Sequence, residues 1–202
     1  MDINWLEDKH GTGSGDERSA FRIGVIADTH GVLRPEVLVV FANVDHIVHA
    51  GDIGGDEVIA SLRKIAPVTF VEGNNDGDSD GTGVVRTNVG DCRVLLTHIL
   101  PRPHDPDRRV FDSLRKSHAD VVVFGHSHLP HDERVNGVWY FNPASAGPRR
   151  FDYPVSVAVI EQTPEGWRGR HIALDGRSVG ALKQRMNQLS RPATDDERAT
   201  TL

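Results

Sequence analysis

Seven side chains that can bind a metal ion each follow a short apolar run of the chain. They are Asp28, His30, Asp52, Asn74, His98, His126 and His128. Imidazole nitrogens mixed with carboxylate and amide oxygens favour Mn, Fe, Ni, Co or Zn over Ca and Mg, which prefer oxygen alone. Seven donors are too many for one tetrahedral ion but suit two ions that share a carboxylate, with Asp52 as the natural bridge. The pattern predicts two divalent metal ions, Mn²⁺ first among them, and a local attraction for anions.

Each of these residues alone has an ordinary explanation. An Asp after a strand often caps the next helix, and a single His is more often packed or on the surface than bound to a metal. The repetition of such residues after five successive apolar runs is what favours a metal centre. His49 lies within one of these runs, and we expect a packed histidine there rather than a residue that supports a ligand.

The elements that must position these side chains alternate in the first half of the chain. Apolar runs predict strands, amphipathic segments predict helices, and the order is βαβαβ with parallel strands; the runs are 21–27, 34–44, 46–50, 56–65 and 67–73. Parallel strands place their carboxyl ends on one sheet edge, so the donors should converge there. From residue 84 the chain is strand-rich, with one helix at about 107–117.

We therefore expect one α/β domain over residues 21–175, with a mixed sheet or two packed sheets flanked by helices. Residues 1–20 are polar and predict a flexible N-terminal tail, while 176–202 predict a C-terminal helix and flexible tail. Cys92 is the only cysteine, so no internal disulfide forms and a cytoplasmic protein is the simpler expectation.

The overall charge and the apolar pattern argue against two classes of partner. Lysine and arginine number 23 against 29 acidic residues, a net charge of −6, so no general positive field favours nucleic acid. No apolar run approaches the roughly 20 residues that cross a bilayer, so we expect no membrane partner. A homo-oligomer is compatible with the sequence.

Five short motifs, taken in order, resemble those of the calcineurin-like metallophosphoesterases. They are Asp28-Thr29-His30-Gly31, Gly51-Asp52, Gly73-Asn74-Asn75-Asp76, Thr97-His98 and Gly125-His126-Ser127-His128. The resemblance covers about residues 21–174. The short chain and the later run Asn142-Pro143-Ala144-Ser145 are similar to the small bacterial and archaeal phosphodiesterase branch.

The resemblance implies a four-layer αββα sandwich, two packed mixed sheets flanked by helices. It also implies a first metal held by Asp28, His30, Asp52 and His128, and a second held by Asp52, Asn74, His98 and His126. The implied activity is hydrolysis of a small-molecule phosphoester, most simply a phosphodiester, by a hydroxide that bridges the two ions.

The sequence departs from the family pattern after the metal-binding Asn. Many members carry a histidine there that protonates the leaving oxygen, whereas Asn75 cannot supply a proton near neutral pH. His104, in the proline-rich loop after His98, is a candidate replacement, and Arg108 and Arg109 could reach a phosphate, although solvated side chains are the simpler expectation. The candidate catalytic residues are Asp52, Asn74, Asn75, His98 and His104.

Two alternatives compete with this interpretation. A scaffold of the same fold that is catalytically weak or silent would bind protein partners, as the related retromer subunit does; the filled donor positions argue against it. Residues 76–81 match the start of a calcium-binding helix–loop–helix, but Thr87 stands where that motif needs Glu and strands replace the flanking helices.

Overall fold

The computed structural model describes residues 20–100, 102, 108–150 and 152–174. Their strands and helices are, in order, β1 (Arg22–Ile26), α1 (Pro35–Val40), β2 (His46–His49), α2 (Asp56–Leu62), β3 (Val68–Phe70), β4 (Val84–Val89), β5 (Cys92–Thr97), α3 (Arg108–Ser117), β6 (Val121–Val123), β7 (Pro130–Val135), β8 (Val138–Pro143), β9 (Ser156–Thr163) and β10 (Gly166–Ala173). The expected tails at 1–20 and 176–202 lie, apart from residue 20, outside this part of the chain, as does His104.

Each of the two sheets is mixed and has five strands. Sheet A has the order β10-β9-β1-β2-β3, and sheet B has the order β4-β5-β6-β8-β7. In sheet A, β1, β2 and β3 are parallel, which confirms the βαβαβ prediction. In sheet B, β5, β6 and β8 are parallel. The carboxyl ends of these six strands carry the loops that form the candidate site.

The strands alternate between two apolar layers because successive side chains of a strand point to opposite faces. Val25 of sheet A and Val123 of sheet B belong to the core between the sheets. Ile26, next to Val25, faces away and packs with Val37 of α1 and Leu62 of α2. On the outer face of sheet B, buried residues that include Val110 of α3 form a third cluster. The layers are therefore helix, sheet, sheet and helix, which confirms the predicted αββα sandwich.

Cys92 begins β5 and belongs to the core between the sheets, where its side chain is fully buried. Burial raises the pKa of this thiol to about 12. The thiol is therefore a neutral, small apolar side chain of the core.

Helices α1 and α2 are shorter than the amphipathic segments at 34–44 and 56–65 predict, whereas α3 closely matches the predicted helix at about 107–117. Helix α1 begins at Pro35, whose fixed φ suits the first helical turn, and ends at Val40 rather than at 44. Phe41 closes it and packs, fully buried, against the outer face of sheet A. Within the described residues, no helix is long and apolar enough to cross a membrane.

Candidate metal centre

Five of the predicted donors lie in left-handed backbone conformation just beyond the ends of strands. Their φ values are +54° for Asp28, +47° for His30, +53° for Asp52, +67° for His126 and +58° for His128. Such φ values are uncommon for residues other than glycine, and they concentrate at functional sites where surrounding contacts maintain them. The loops after β1, β2 and β6 are therefore held in costly turns that present these side chains on one edge.

Two glycines allow these loops to approach one another. A Cβ on Gly51 would lie 2.7 Å from His98 Nδ1 and 2.8 Å from the Gly73 nitrogen, closer than real Cβ atoms come. A Cβ on Gly73 would collide with the backbone and carboxylate of Asp52. The site therefore needs glycine at both positions.

One half of the donor cluster, the enclosed half, consists of Asp28, His30 and His128 together with Asp52. One ligand atom from each of the four residues lies within 4.8 Å of the others. His128 Nε2 lies 3.2 Å from Asp28 Oδ1, and His30 Nε2 lies 3.4 Å from His128 Nε2 and 3.7 Å from Asp52 Oδ2. Donors on a tetrahedral ion with 2.0–2.1 Å bonds are about 3.4 Å apart, so this spacing fits one ion.

The other half, the open half, consists of Asn74, His98 and His126, again with Asp52. Asn74 Oδ1 lies 3.1 Å from His98 Nε2 and 3.0 Å from His126 Nδ1. His98 Nε2 lies 3.3 Å from Asp52 Oδ1. The structure thus brings all seven predicted donors together, with one oxygen of Asp52 near each half.

The hydrogen bonds of His98 show why a cation suits the open half. Its Nδ1 donates to the Ala50 carbonyl oxygen at 2.7 Å, because that oxygen can only accept. In the neutral ring Nε2 then has a lone pair that faces the oxygens of Asp52 and Asn74. Burial lowers the pKa of His98, but the bonds to Asp52 and Ala50 outweigh it and raise the pKa. A positive charge, from a proton or a metal ion, is therefore favoured at this atom.

Protonation of the other ligand candidates also fits metal binding. Burial lowers the pKa of His30 and of His126, which keeps both rings neutral near pH 7. Burial works against ionisation of Asp52. The hydrogen bond that His98 donates when its ring is protonated, together with the two bonds from Asn75, outweighs burial and lowers the pKa of the carboxyl. Asp52 is therefore an anion with two oxygens available between the halves.

Asn75 contacts the shared carboxylate directly. Its backbone N–H donates to Asp52 Oδ1 at 2.9 Å, and its side-chain amide donates to Asp52 Oδ2 at 2.7 Å. Asn75 therefore orients Asp52, a contact that the sequence did not reveal.

The neighbouring Asp76 also has a role within the loops. Its carboxylate accepts backbone N–H bonds from Ile53, Gly54 and Gly73 at 3.0, 2.9 and 2.8 Å. These bonds occupy the residue that would be the first ligand of the calcium motif.

Residues of the run at 142–145 support the loops from sheet B, and sequence reasoning gave them no role. The Asn142 amide donates to the Gly125 carbonyl at 2.8 Å, and its Oδ1 accepts from Ala144 N–H at 2.9 Å. The Ser145 hydroxyl donates to the Asp28 carbonyl at 3.0 Å. The position of this run after the last histidine pair was the signal that could have identified them.

The two arginines named from the sequence contact groups outside the donor cluster, and a third arginine lies nearer the donors. Arg109 donates to the Thr82 carbonyl at 2.7 Å, and exposed Arg108 lies 3.7 Å from Asp112. Arg150 is closer to the donors: with Arg149 it lines a recess beside His128, and its charge adds to burial in lowering the pKa of His30. The sequence gave no reason to select it.

This fold and site identify the family. Residues 21–164 match the calcineurin-like phosphoesterase superfamily domain, and the chain belongs to that superfamily. A probable metallophosphoesterase of Methanothermobacter thermautotrophicus is 34% identical over 150 residues, 69% of this chain and 86% of the relative.

Two solved structures share the fold at low sequence identity. A novel archaeal phosphodiesterase aligns with a TM-score of 0.59 at 20% identity, over 75% of this chain and 100% of the other. Vacuolar protein sorting 29 from Cryptosporidium parvum aligns with a TM-score of 0.58 at 17% identity, over 76% of this chain and 97% of the other. The family relationship supports a metal-dependent hydrolase, and the two structures support the fold alone.

Proposed function

We propose that this protein hydrolyses small-molecule phosphodiesters with two divalent metal ions, Mn²⁺ first among the candidates. The observation that carries the proposal is the shared carboxylate: Asp52 has Oδ1 3.3 Å from His98 and Oδ2 3.7 Å from His30, between two sets of donors. In the proposed assignment Asp28, His30, Asp52 and His128 hold one ion, and Asp52, Asn74, His98 and His126 hold the other.

The residues present suit this task. When bound, the two ions would supply an acidified water as nucleophile and positive charge for the phosphoryl oxygens. The chain orients the ligands through Asn75 on Asp52 and through the Ala50 carbonyl on His98. Arg150, exposed beside His128, is placed to attract an anionic substrate to a protein of net charge −6.

Asn75 favours substrates with acidic leaving groups, such as aryl phosphodiesters. The side-chain amide of Asn75 donates to Asp52 and carries no acidic proton, so this position cannot protonate a leaving oxygen. Substrates whose leaving group is stable without a proton should then react fastest. His104 was named from the sequence as a replacement acid. It lies outside the described residues, so this assignment stays a prediction.

The test combines metal content with a leaving-group series. Chelator-treated protein should be inactive, and Mn²⁺ should restore hydrolysis of aryl phosphodiesters, with the rate rising steeply as the leaving phenol becomes more acidic. A His104→Ala variant should leave that slope unchanged if His104 supplies no proton, and should make it steeper if His104 is the replacement acid. If the wild-type rate does not depend on the acidity of the leaving phenol, the protein must have a general acid. Inactivity with every metal tested would contradict the proposal that the protein is an enzyme.

The second candidate function is a protein-binding scaffold of low activity. The likeness of fold to vacuolar protein sorting 29 favours it. The side chain of Asp28 is fully buried 3.2 Å from His128. This argues against a scaffold that binds no metal, since a buried carboxylate is costly without a cation nearby. Tight metal binding without turnover of any phosphoester would favour the scaffold.

A further inference from the structure

His49, the last residue of β2, lies beside the donor cluster but is not one of its ligands. Its side chain is fully buried, and burial lowers its pKa to about 3, so the ring is neutral. A buried polar ring must satisfy both of its nitrogens. Its two hydrogen-bond partners, Thr29 and Gly51, lie on the two loops that carry Asp28, His30 and Asp52.

The hydrogen bonds around His49 determine which nitrogen carries the proton. The Thr29 hydroxyl donates its single hydrogen to the Ile53 carbonyl at 2.8 Å. It must therefore accept from His49 Nε2, which lies 2.9 Å away. The Gly51 N–H donates to His49 Nδ1 at 3.2 Å, so Nδ1 carries no proton. The two contacts agree on one neutral tautomer, with the proton on Nε2.

These partners belong to two loops that run side by side, the first loop at 27–31 and the second loop at 50–54. Backbone N–H groups of the first loop donate to carbonyls of the second: Asp28 to Gly51 at 2.9 Å, His30 to Asp52 at 2.9 Å and Gly31 to Ile53 at 2.8 Å. His49 contacts the side chain of the first loop through Thr29 and the backbone of the second through Gly51. His49 is therefore a buried residue that links the first loop to the second.

We propose that His49 is a positioning residue of the metal centre. By donating to Thr29 and accepting from Gly51, it holds Asp28, His30 and Asp52 in the left-handed conformations that point them at one another. Residues that support metal ligands in this way typically contribute 10–100-fold to metal affinity. The inference rests on the metal centre proposed above, but not on the nature of the substrate.

The two hydrogen bonds can be removed one at a time. A glutamine amide can reach the place of Nε2, so His49→Gln keeps the donor for Thr29. An asparagine carbonyl can take the place of Nδ1, so His49→Asn keeps the acceptor for Gly51. His49→Leu removes both, and Thr29→Val removes the hydroxyl while keeping the side-chain shape. Titration calorimetry of Mn²⁺ into chelator-treated full-length protein gives the affinity, and thermal unfolding without metal reports the fold.

The chain contains a matched control in His46, at the other end of the same strand. Its Nε2 lies 2.9 Å from Thr69 Oγ1, so it makes the same type of bond away from the donors. We expect His49→Leu to weaken Mn²⁺ binding about 10–100-fold, with Gln and Asn each restoring part of the loss. His46→Leu should leave the affinity unchanged. Thr29→Val should cost less in the His49→Asn background than in the wild type, because the bond to His49 is already absent there and only the bond from Thr29 to Ile53 remains to be lost.

Several results would overturn the proposal. Wild-type affinity in His49→Leu, or an equal loss in His46→Leu, would show that His49 has no special role. If His49→Leu fails to fold, Thr29→Val remains decisive, since unchanged Mn²⁺ affinity in that variant would refute the link between the loops. A wild-type protein that binds none of Mn²⁺, Fe²⁺, Co²⁺, Ni²⁺ and Zn²⁺ would instead refute the metal centre, and with it this inference, so the two failures are distinguishable.

Discussion

The two halves of the donor cluster share Asp52 but differ in their access to solvent. In the enclosed half the exposed side-chain fractions are 0% for Asp28, 13% for His30 and 8% for His128. In the open half His98 is buried, but Asn74 and His126 are exposed. Access to solvent governs how readily a bound ion exchanges. If each half holds an ion, as proposed above, we expect the enclosed half to retain its ion and the open half to exchange its ion and meet the substrate.

The largest effect should come from the residue that joins the halves. Asp52→Asn removes the charge shared by both sets of donors, and metal-ion catalysis contributes several kcal/mol to a rate. We expect turnover with Mn²⁺ to fall at least about 100-fold, because each 1.36 kcal/mol is a factor of ten. Metal analysis should show both ions weakened. If the variant keeps most of its activity and one tightly bound ion, Asp52 does not serve both halves, and its assignment as the shared ligand is wrong.

A matched pair of substitutions compares the halves directly. His128→Asn and His126→Asn change residues two positions apart in one loop, and asparagine tolerates the left-handed backbone of both. We expect His128→Asn to lose the retained ion and to lower the thermal stability of the metal-loaded protein. His126→Asn should weaken only the exchanging ion, by about tenfold or more, and excess Mn²⁺ should restore activity. The metal content of each variant after gel filtration checks both expectations. Identical metal losses in the two variants would contradict the difference between the enclosed and the open half.

His49 lies beneath the loops of the enclosed half, and its burial should make the stability of the metal-free protein depend on pH. Its pKa is about 3 in the folded protein against 6.5 ordinarily. The unfolded chain therefore takes up a proton that the folded chain refuses, and stability falls as the pH drops below 6.5 toward 3. Between about pH 7.5 and pH 5 this costs about 2 kcal/mol.

Urea unfolding of the metal-free protein measures this cost. The His49→Gln variant does not titrate at this position and should lose about 2 kcal/mol less than the wild type over the same interval. Equal losses in the two proteins would mean that His49 is protonated in the folded state.

The smallest effect should come from Asn75. In Asn75→Ala the Asp52 carboxylate loses one side-chain hydrogen bond and keeps the backbone bond from the same residue. Because Asn75 is exposed, we expect a loss of about 1 kcal/mol in metal binding, about fivefold in affinity. Asp78→Ala, an exposed change in the same loop, should have no effect. A larger loss of metal affinity in Asn75→Ala than in His126→Asn would contradict this order of effects.

The sequence was sufficient for the architecture and for bringing the donors together. Both rest on local rules, since apolar periodicity marks the strands and parallel strands place their ends on one edge. It could not predict what depends on contacts between loops: the left-handed turns at Asp28 and Asp52, the amide of Asn75 on Asp52, or the tautomer of His49. Helix α1 is shorter than predicted because the packing of Phe41 closes it, which is also a tertiary effect.

Cys92 gives this protein a built-in reporter of unfolding. The thiol of Cys92 is neutral and fully buried at the start of β5, so we expect it to react slowly with a disulfide reagent in the folded protein and faster once the core around it opens, since the thiolate is the reactive species. One absorbance measurement per sample would then follow opening of the central core without any added label. Comparing that rate with and without Mn²⁺ would show how far ions at the strand ends hold the sandwich closed.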